Sequence, residues 1–263
     1  MATQEMIRQN WYDRLAQALD DIEPTAPLAA GLGDLPIPEA YAVQDKLVQD
    51  RLLRGERIIG WKVGATSRQV MSQLGIHEPI YGCMTSGSDY GHLEEIPASK
   101  FCDLAVEGEI AFIMGQSLQG PGVVTADVVM ATAAVMGAVE LVDCRIKGWQ
   151  PTLAEAVADN SLHAGVILGP VTRPLTDLDL THEGVIMKKN ARLLASACGV
   201  EALGYPVQVV TWLANKLAEM DKTIEEGQIV LTGSLTQYFH VMARDVVDVS
   251  FSDLGRIQFV VTD

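Results

Sequence analysis

Two glutamates stand two residues apart inside an otherwise apolar run, Ala105-Val106-Glu107-Gly108-Glu109-Ile110-Ala111-Phe112-Ile113-Met114. Such a run reads as a β-strand, and the period of two sends Glu107 and Glu109 to one face. Two carboxylates side by side on an apolar strand repel each other. Burial would neutralise them unless something positive sits between them. A third glutamate, Glu140, lies in an equally apolar run, Met136-Gly137-Ala138-Val139-Glu140-Leu141-Val142. Three such carboxylates offer the hard oxygen ligands taken by Mg²⁺ or Mn²⁺, leaving positions for water and substrate. Spacing alone leaves two alternatives on an equal footing, a metal site and a solvated strand face.

Other segments carry candidate chemistry. Lys62 lies between apolar residues in Ile58-Ile59-Gly60-Trp61-Lys62-Val63-Gly64, just before a turn. A lysine there could pair with a carboxylate, hold a substrate carboxylate or move a proton, or could be an edge lysine kept in water. Thr232, Gly233 and Ser234 follow a strand and offer hydroxyl and backbone N–H donors to an anion, or form a common turn. Asp159 and Asn160 could orient a base or a water, or cap a turn. His77 and His163 are candidate acid–base groups, although most single histidines serve no catalytic role.

The rest of the chain frames these segments. Residues 4–20 and 38–54 read as amphipathic helices, the first with Ile7, Trp11, Leu15 and Leu19 on one side. Residues 67–76 read as a short helix, 78–87 as a loop, and 125–146 as a helix that gives way to a strand. Residues 183–194 read as a hairpin turning on Lys188-Lys189-Asn190, and 206–220 as a helix begun by Pro206. Helices and strands are mixed without strict βαβ alternation, so the expected class is α+β with a large mixed sheet. A helical cap over 1–75 and a catalytic β-roll over 76–263 are the expected divisions. A net charge of −15 argues against nucleic-acid binding, which needs clustered Lys and Arg. No apolar stretch reaches the length of a membrane span. The four cysteines are widely spaced, as free thiols in a reducing compartment would be, so the expected location is the cytoplasm.

Taken in order, GWKVGATS, LGIHEPIYG, VEGEIAFIM, LQGPGV, VELVDCRI, VADNSLHAGVILG, LGYPVQVVTWLANKL and GQIVLTGSLT resemble the fumarylacetoacetate hydrolase family. The similarity runs from about residue 40 to 261. It is strongest to the branch of 2-hydroxypenta-2,4-dienoate hydratases and 4-oxalocrotonate decarboxylases, which act in aromatic meta-cleavage catabolism. The resemblance implies a mixed β-roll with flanking helices, one Mg²⁺ or Mn²⁺ on Glu107, Glu109 and Glu140, and a homo-oligomer, with a pathway neighbour as a further partner. It implies Lys62 near a small 2-oxo acid substrate and Thr232, Gly233 and Ser234 beside the substrate carboxylate. One departure stands out. Hydratases of this branch carry an Asp after the Pro of the loop, whereas this chain reads Pro79-Ile80-Tyr81-Gly82, as the decarboxylases do.

A Lewis acid that stabilises an enolate serves hydration, decarboxylation and C–C hydrolysis alike. The expected activity is therefore a metal-dependent lyase, a hydratase first, a decarboxylase second, and an acylpyruvate-type hydrolase third. Lys62 is expected to handle substrate charge and protons. His77 and Glu78 are expected on a mobile loop over the pocket, between Gly75 and Gly87.

Overall fold

The apolar runs become the strands of two sheets in a computed structural model that describes residues 3–91 and 93–263. The helices are α1 (Gln4–Asp21), α2 (Ile37–Leu53), α3 (Arg68–Leu74), α4 (Thr125–Ala131), α5 (Leu153–Ala158) and α6 (Pro206–Ala218). The strands are β1 (Ile58–Gly64), β2 (Ile80–Thr85), β3 (Glu95–Pro97), β4 (Ala105–Met114), β5 (Thr132–Val142), β6 (His163–Arg173), β7 (Gly184–Lys189), β8 (Arg192–Cys198), β9 (Ile229–Leu231), β10 (Phe239–His240), β11 (Val246–Phe251) and β12 (Arg256–Thr262).

The first sheet has the order β2-β1-β9-β4-β5-β6, with β10 also paired to β4. The second has the order β3-β12-β11-β7-β8. The β1–β9 and β3–β12 pairs are parallel and the other pairs antiparallel, which gives the expected α+β class with mixed sheets. One face of β4 packs on the second sheet. Val185 and Val249 press against the backbone at Gly108, where a Cβ would crowd them, and Val106, Ile110 and Phe112 are buried beside it. The alternation then turns Glu107 and Glu109 to the opposite face.

Helix α1 starts at Thr3, whose hydroxyl accepts from the Met6 N–H, and buries Ile7, Trp11, Leu15 and Ala18. Helix α2 lies against it and against α5, where the Gln44 amide donates to the carbonyls of Tyr81 and Val157. Fully burying a large apolar side chain contributes about 1.5–3 kcal/mol. Tyr41 of α2 stacks on Tyr81 of β2, so α2 packs directly on the first sheet. The expected division after residue 75 falls between β1 and β2, which are hydrogen-bonded neighbours.

The structure corrects three local expectations. The loop expected over 78–87 contains β2, whose residues from Tyr81 to Thr85 are all buried. A strand covered on both faces has no polar alternation to reveal it. The hairpin turns on Asn190-Ala191, both at positive φ, while Lys188 and Lys189 stay in β7. The strand after α4 ends at Val142 and not at residue 146. Among the described residues, no helix is long and apolar enough to cross a membrane.

Candidate active site

The β4–β5 register sets Glu107 directly opposite Glu140. With Glu109 on the same face of β4, each of the three can present a carboxylate oxygen, and these oxygens lie within 4.8 Å of one another. Glu109 and Glu140 are fully buried, while Glu107 is partly open and lines a cavity of about 810 Å³. Strand β9 ends at Leu231, level with Lys62 on β1. Past that end the Lys62 ammonium lies 3.2 Å from Glu140 Oε2.

Two further contacts fix this arrangement. The Lys62 ammonium donates to the Ser161 carbonyl at 3.0 Å. His163 Nδ1 lies 2.8 Å from Glu140 Oε1, and its Nε2 lies 3.0 Å from Ser88 Oγ. Burial holds the His163 pKa below the ordinary value, so the ring is neutral at pH 7 and Nδ1 carries the proton given to Glu140. Glu109 Oε2 accepts from the Gly233 N–H at 2.7 Å, while its Oε1 has no protein partner.

Burial, with Glu140 close by, pushes Glu107 up to about 7. The same causes, with Glu107 added, hold Glu109 well above the usual carboxylate range. Glu140 goes the other way. Burial opposes its charge, but Lys62 and His163 together bring its pKa below the ordinary value. Burial likewise works against the Lys62 charge, and the surrounding carboxylates outweigh it, so Lys62 stays an ammonium. Three carboxylates against one ammonium leave a surplus of two negative charges when all are ionised. A divalent cation matches that surplus, and the unpartnered Glu109 Oε1 is a ready ligand atom.

The expected residues divide into two groups. Lys62, Glu107, Glu109 and Glu140 come together, and Ser234 lines the cavity. The Thr232 hydroxyl donates to the Ile110 carbonyl, the Gly233 N–H serves Glu109, and the Ser234 hydroxyl donates to the Thr236 carbonyl. Both hydroxyls and the Gly233 N–H are thus engaged within the protein. Asp159 is absent from the cavity wall, and both its oxygens accept from Arg145, at 2.6 and 2.9 Å. The Asn160 side chain bridges the N–H and carbonyl of Cys83, each at 2.8 Å, and so ties its turn to β2. His77 is exposed on the bend between α3 and β2, off the cavity wall, and Glu78 beside it pairs with Lys216 at the surface.

Sequence reasoning missed how Lys62 is positioned. Asn160, Ser161 and Leu162 are three consecutive residues at positive φ. Left-handed backbone costs roughly 1–2 kcal/mol per non-glycine residue, so the surrounding bonds must hold the turn. The Ser161 hydroxyl does so by donating to the Tyr81 carbonyl at 2.6 Å, which leaves the Ser161 carbonyl to receive Lys62. Asn in a turn tolerates this conformation, and that was the available signal.

The two sheets, the flanking helices and an acidic cluster at the wall of a cavity define an α+β roll with a buried polar centre. Residues 61–262 match the family model described as fumarylacetoacetate (FAA) hydrolase C-terminal. The chain belongs to the fumarylacetoacetate hydrolase family. It is 40% identical over 206 residues to a 2-hydroxypent-2,4-dienoate hydratase of Pseudomonas putida, covering 78% of this chain and 93% of the relative. It is 34% identical over 250 residues to a 2-hydroxyhexa-2,4-dienoate hydratase of Comamonas testosteroni, covering 94% and 95%. Among solved structures, 4-oxalocrotonate decarboxylase from Pseudomonas putida G7, complexed with magnesium and adipate, superposes with a TM-score of 0.94 at 28% identity over 99% of both chains. A second structure of that decarboxylase holds calcium and acetate and superposes with a TM-score of 0.92.

Proposed function

We propose that this chain is a divalent-metal-dependent lyase of small 2-hydroxydienoate or 2-oxo acids, and that it is a hydratase for a 2-hydroxypenta-2,4-dienoate-type monocarboxylate. One observation carries the choice. The acidic cluster opens on its cavity through Glu107 and Lys62, and among the described wall residues Lys62 is the sole cation. A substrate with one carboxylate has its charge met there. A second carboxylate, as in 4-oxalocrotonate, would find no second cation there, only apolar side chains such as Val70 and Leu74 and neutral polar ones such as Gln69 and Gln73.

Glu107, Glu109 and Glu140 would hold the cation, Mg²⁺ or Mn²⁺. When bound, it supplies Lewis-acid stabilisation of enolate charge on a chelating 2-oxo acid. Lys62 remains an ammonium beside the substrate's oxygen end, where it donates a hydrogen bond and balances negative charge. Hydration moves the enol proton off O2 and brings a proton to C5, and water then adds across C3–C4, its hydroxyl to C4 and its proton to C3. Each of these steps gains from an oxygen whose charge is already met.

Decarboxylation is the second reading, and Ile80 on the cavity wall favours it. An apolar side chain stands where the resemblance to the hydratases leads one to expect an aspartate. Loss of CO₂ needs no water-directing base. With the function we propose a cytoplasmic setting, in keeping with the four free cysteines, and a homo-oligomer. Half-buried Ile59, Ile113, Leu168 and Ile229, on a small apolar cluster of the first sheet, give such an assembly a surface to cover.

The test is to incubate the Mg²⁺-loaded enzyme with 2-hydroxypentadienoate and, separately, with 4-oxalocrotonate, and to weigh the products. Water gain on the first substrate is the expected result. CO₂ loss from the second, without water gain on the first, makes the enzyme a decarboxylase. No reaction with either ends both readings and leaves C–C hydrolysis as the reaction to test.

A further inference from the structure

We propose that Thr66 is a substrate-binding residue, whose hydroxyl donates to an anionic oxygen of the 2-oxo acid beside the acidic cluster. This assignment rests on the function proposed above. Thr66 follows β1 on the wall of the cavity and is only 2% exposed. Its Oγ1 has no hydrogen-bond partner in the protein. Buried polar side-chain atoms are in large majority hydrogen-bonded, so an unpaired hydroxyl on a residue that lines a cavity points to a ligand.

Two local features hold the hydroxyl there. Ala65, just before it, is a non-glycine residue at φ 57, which redirects the chain as β1 ends. Across the gap, Gly233 sits at φ 93, and a Cβ on it would overlap the Thr66 side chain. Glycine at 233 therefore does two things: it adopts the left-handed turn and lets Thr66 approach. Its own N–H reaches Glu109 Oε2, so the residue packed against Thr66 also holds a carboxylate of the cluster. The neighbouring hydroxyls of Thr232 and Ser234 and the Gly233 N–H are taken by protein acceptors. Thr66 is thus the uncommitted hydroxyl of this corner among the described residues.

The experiment compares wild type, Thr66→Val and Thr66→Ser by calorimetric titration of the Mg²⁺-loaded proteins with 2-oxopentanoate, a saturated 2-oxo acid. Valine keeps the shape and removes the hydroxyl. Thr66→Val is expected to weaken binding by about tenfold to a hundredfold, as for loss of a hydrogen bond to a charged group. Thr66→Ser is expected to bind within a few-fold of wild type. Thermal melting without ligand separates binding from folding. An unpaired hydroxyl contributes no bond, so Thr66→Val should melt no lower than wild type. Wild-type affinity in Thr66→Val overturns the assignment, and so does a lowered ligand-free melting temperature accompanied by unchanged binding in the folded protein. Failure of Mg²⁺-loaded wild type to bind 2-oxopentanoate removes the proposed function, and this assignment with it.

Discussion

Glu107 and Glu140 face each other across the β4–β5 ladder, with Glu109 joining them from the next position on the same face. Like charges directly opposite in a sheet are destabilising, and here the pair lies in an apolar strand core. A divalent cation would convert that repulsion into ligation. Millimolar Mg²⁺ should therefore raise the melting temperature of wild type. At a hundredfold excess over Kd the gain is about 2.7 kcal/mol, or several degrees for a chain of this size. Glu107→Ala should lose the shift. A wild type that melts at the same temperature with and without metal would rule out the site.

The metal-free protein should respond to pH in the opposite sense from most acidic proteins. Burial raises Glu107 to about 7 and Glu109 well above its ordinary 4.5. In the window between these values the folded state binds more protons than the unfolded one, so stability falls as pH rises. Melting in the presence of a chelator should show this decline between about pH 4.5 and 7. Glu107→Gln should flatten it relative to wild type. Metal binding must expel those protons, so Mg²⁺ affinity should increase over the same interval. Affinity independent of pH there would contradict the assignment.

Removing the ammonium should expose the cost of the cluster. Lys62→Met leaves Glu140 buried with its main cation gone, and breaking a buried pair from one side costs about 3–5 kcal/mol. Denaturant unfolding should register this loss in metal-free protein, with part of it recovered on adding Mg²⁺. Lys62→Arg should not restore activity, because a planar fork cannot occupy the site of a point charge held between Glu140 and the Ser161 carbonyl. Full activity in Lys62→Met would remove Lys62 from the mechanism.

His163 holds Glu140 in place by a single hydrogen bond. Partners of this kind behind a metal ligand typically change metal affinity by about 10–100-fold when mutated. His163→Phe should weaken Mg²⁺ binding on that scale while leaving the order of substrate preference unchanged. Equal Mg²⁺ affinity in the variant would show that Glu140 is held by Lys62 alone.

Asp159 offers a contrast, because its oxygens are spent on Arg145. Asp159→Ala should unfold about 3–5 kcal/mol more easily, since it leaves a buried guanidinium unpaired. The fraction that remains folded should turn over near the wild-type rate with an unchanged pH profile. A collapse of turnover in a stably folded variant would return Asp159 to the catalytic machinery.

Much of the fold and the acidic cluster was legible in the chain itself. Hydrophobic period gave α1, α2, α6 and β4, because each buries one repeating face. Period two put Glu107 and Glu109 together, and the apolar run around Glu140 marked it as another buried acid. The ordered family motifs joined those three to Lys62. Strand β2 was hidden because both its faces are covered. The hydroxyls and N–H groups of residues 232–234 had the right chemistry for a substrate, but their use depends on Ile110, Glu109 and Thr236, which sequence spacing does not place nearby.

What the sequence by itself determined is therefore the local material: carboxylates in apolar strands, a lysine before a turn, helices of the right period and the membership in a family. Tertiary structure alone decided which groups remain uncommitted. The β4–β5 register turned separate glutamates into one cluster, and the left-handed turn at 160–162 aimed a carbonyl at Lys62. Gly233 packs against Thr66, whose buried hydroxyl stays unpaired, while its own N–H goes to Glu109. The physical reason is that each donor or acceptor has few bonds to give, and only the folded chain shows where they are spent.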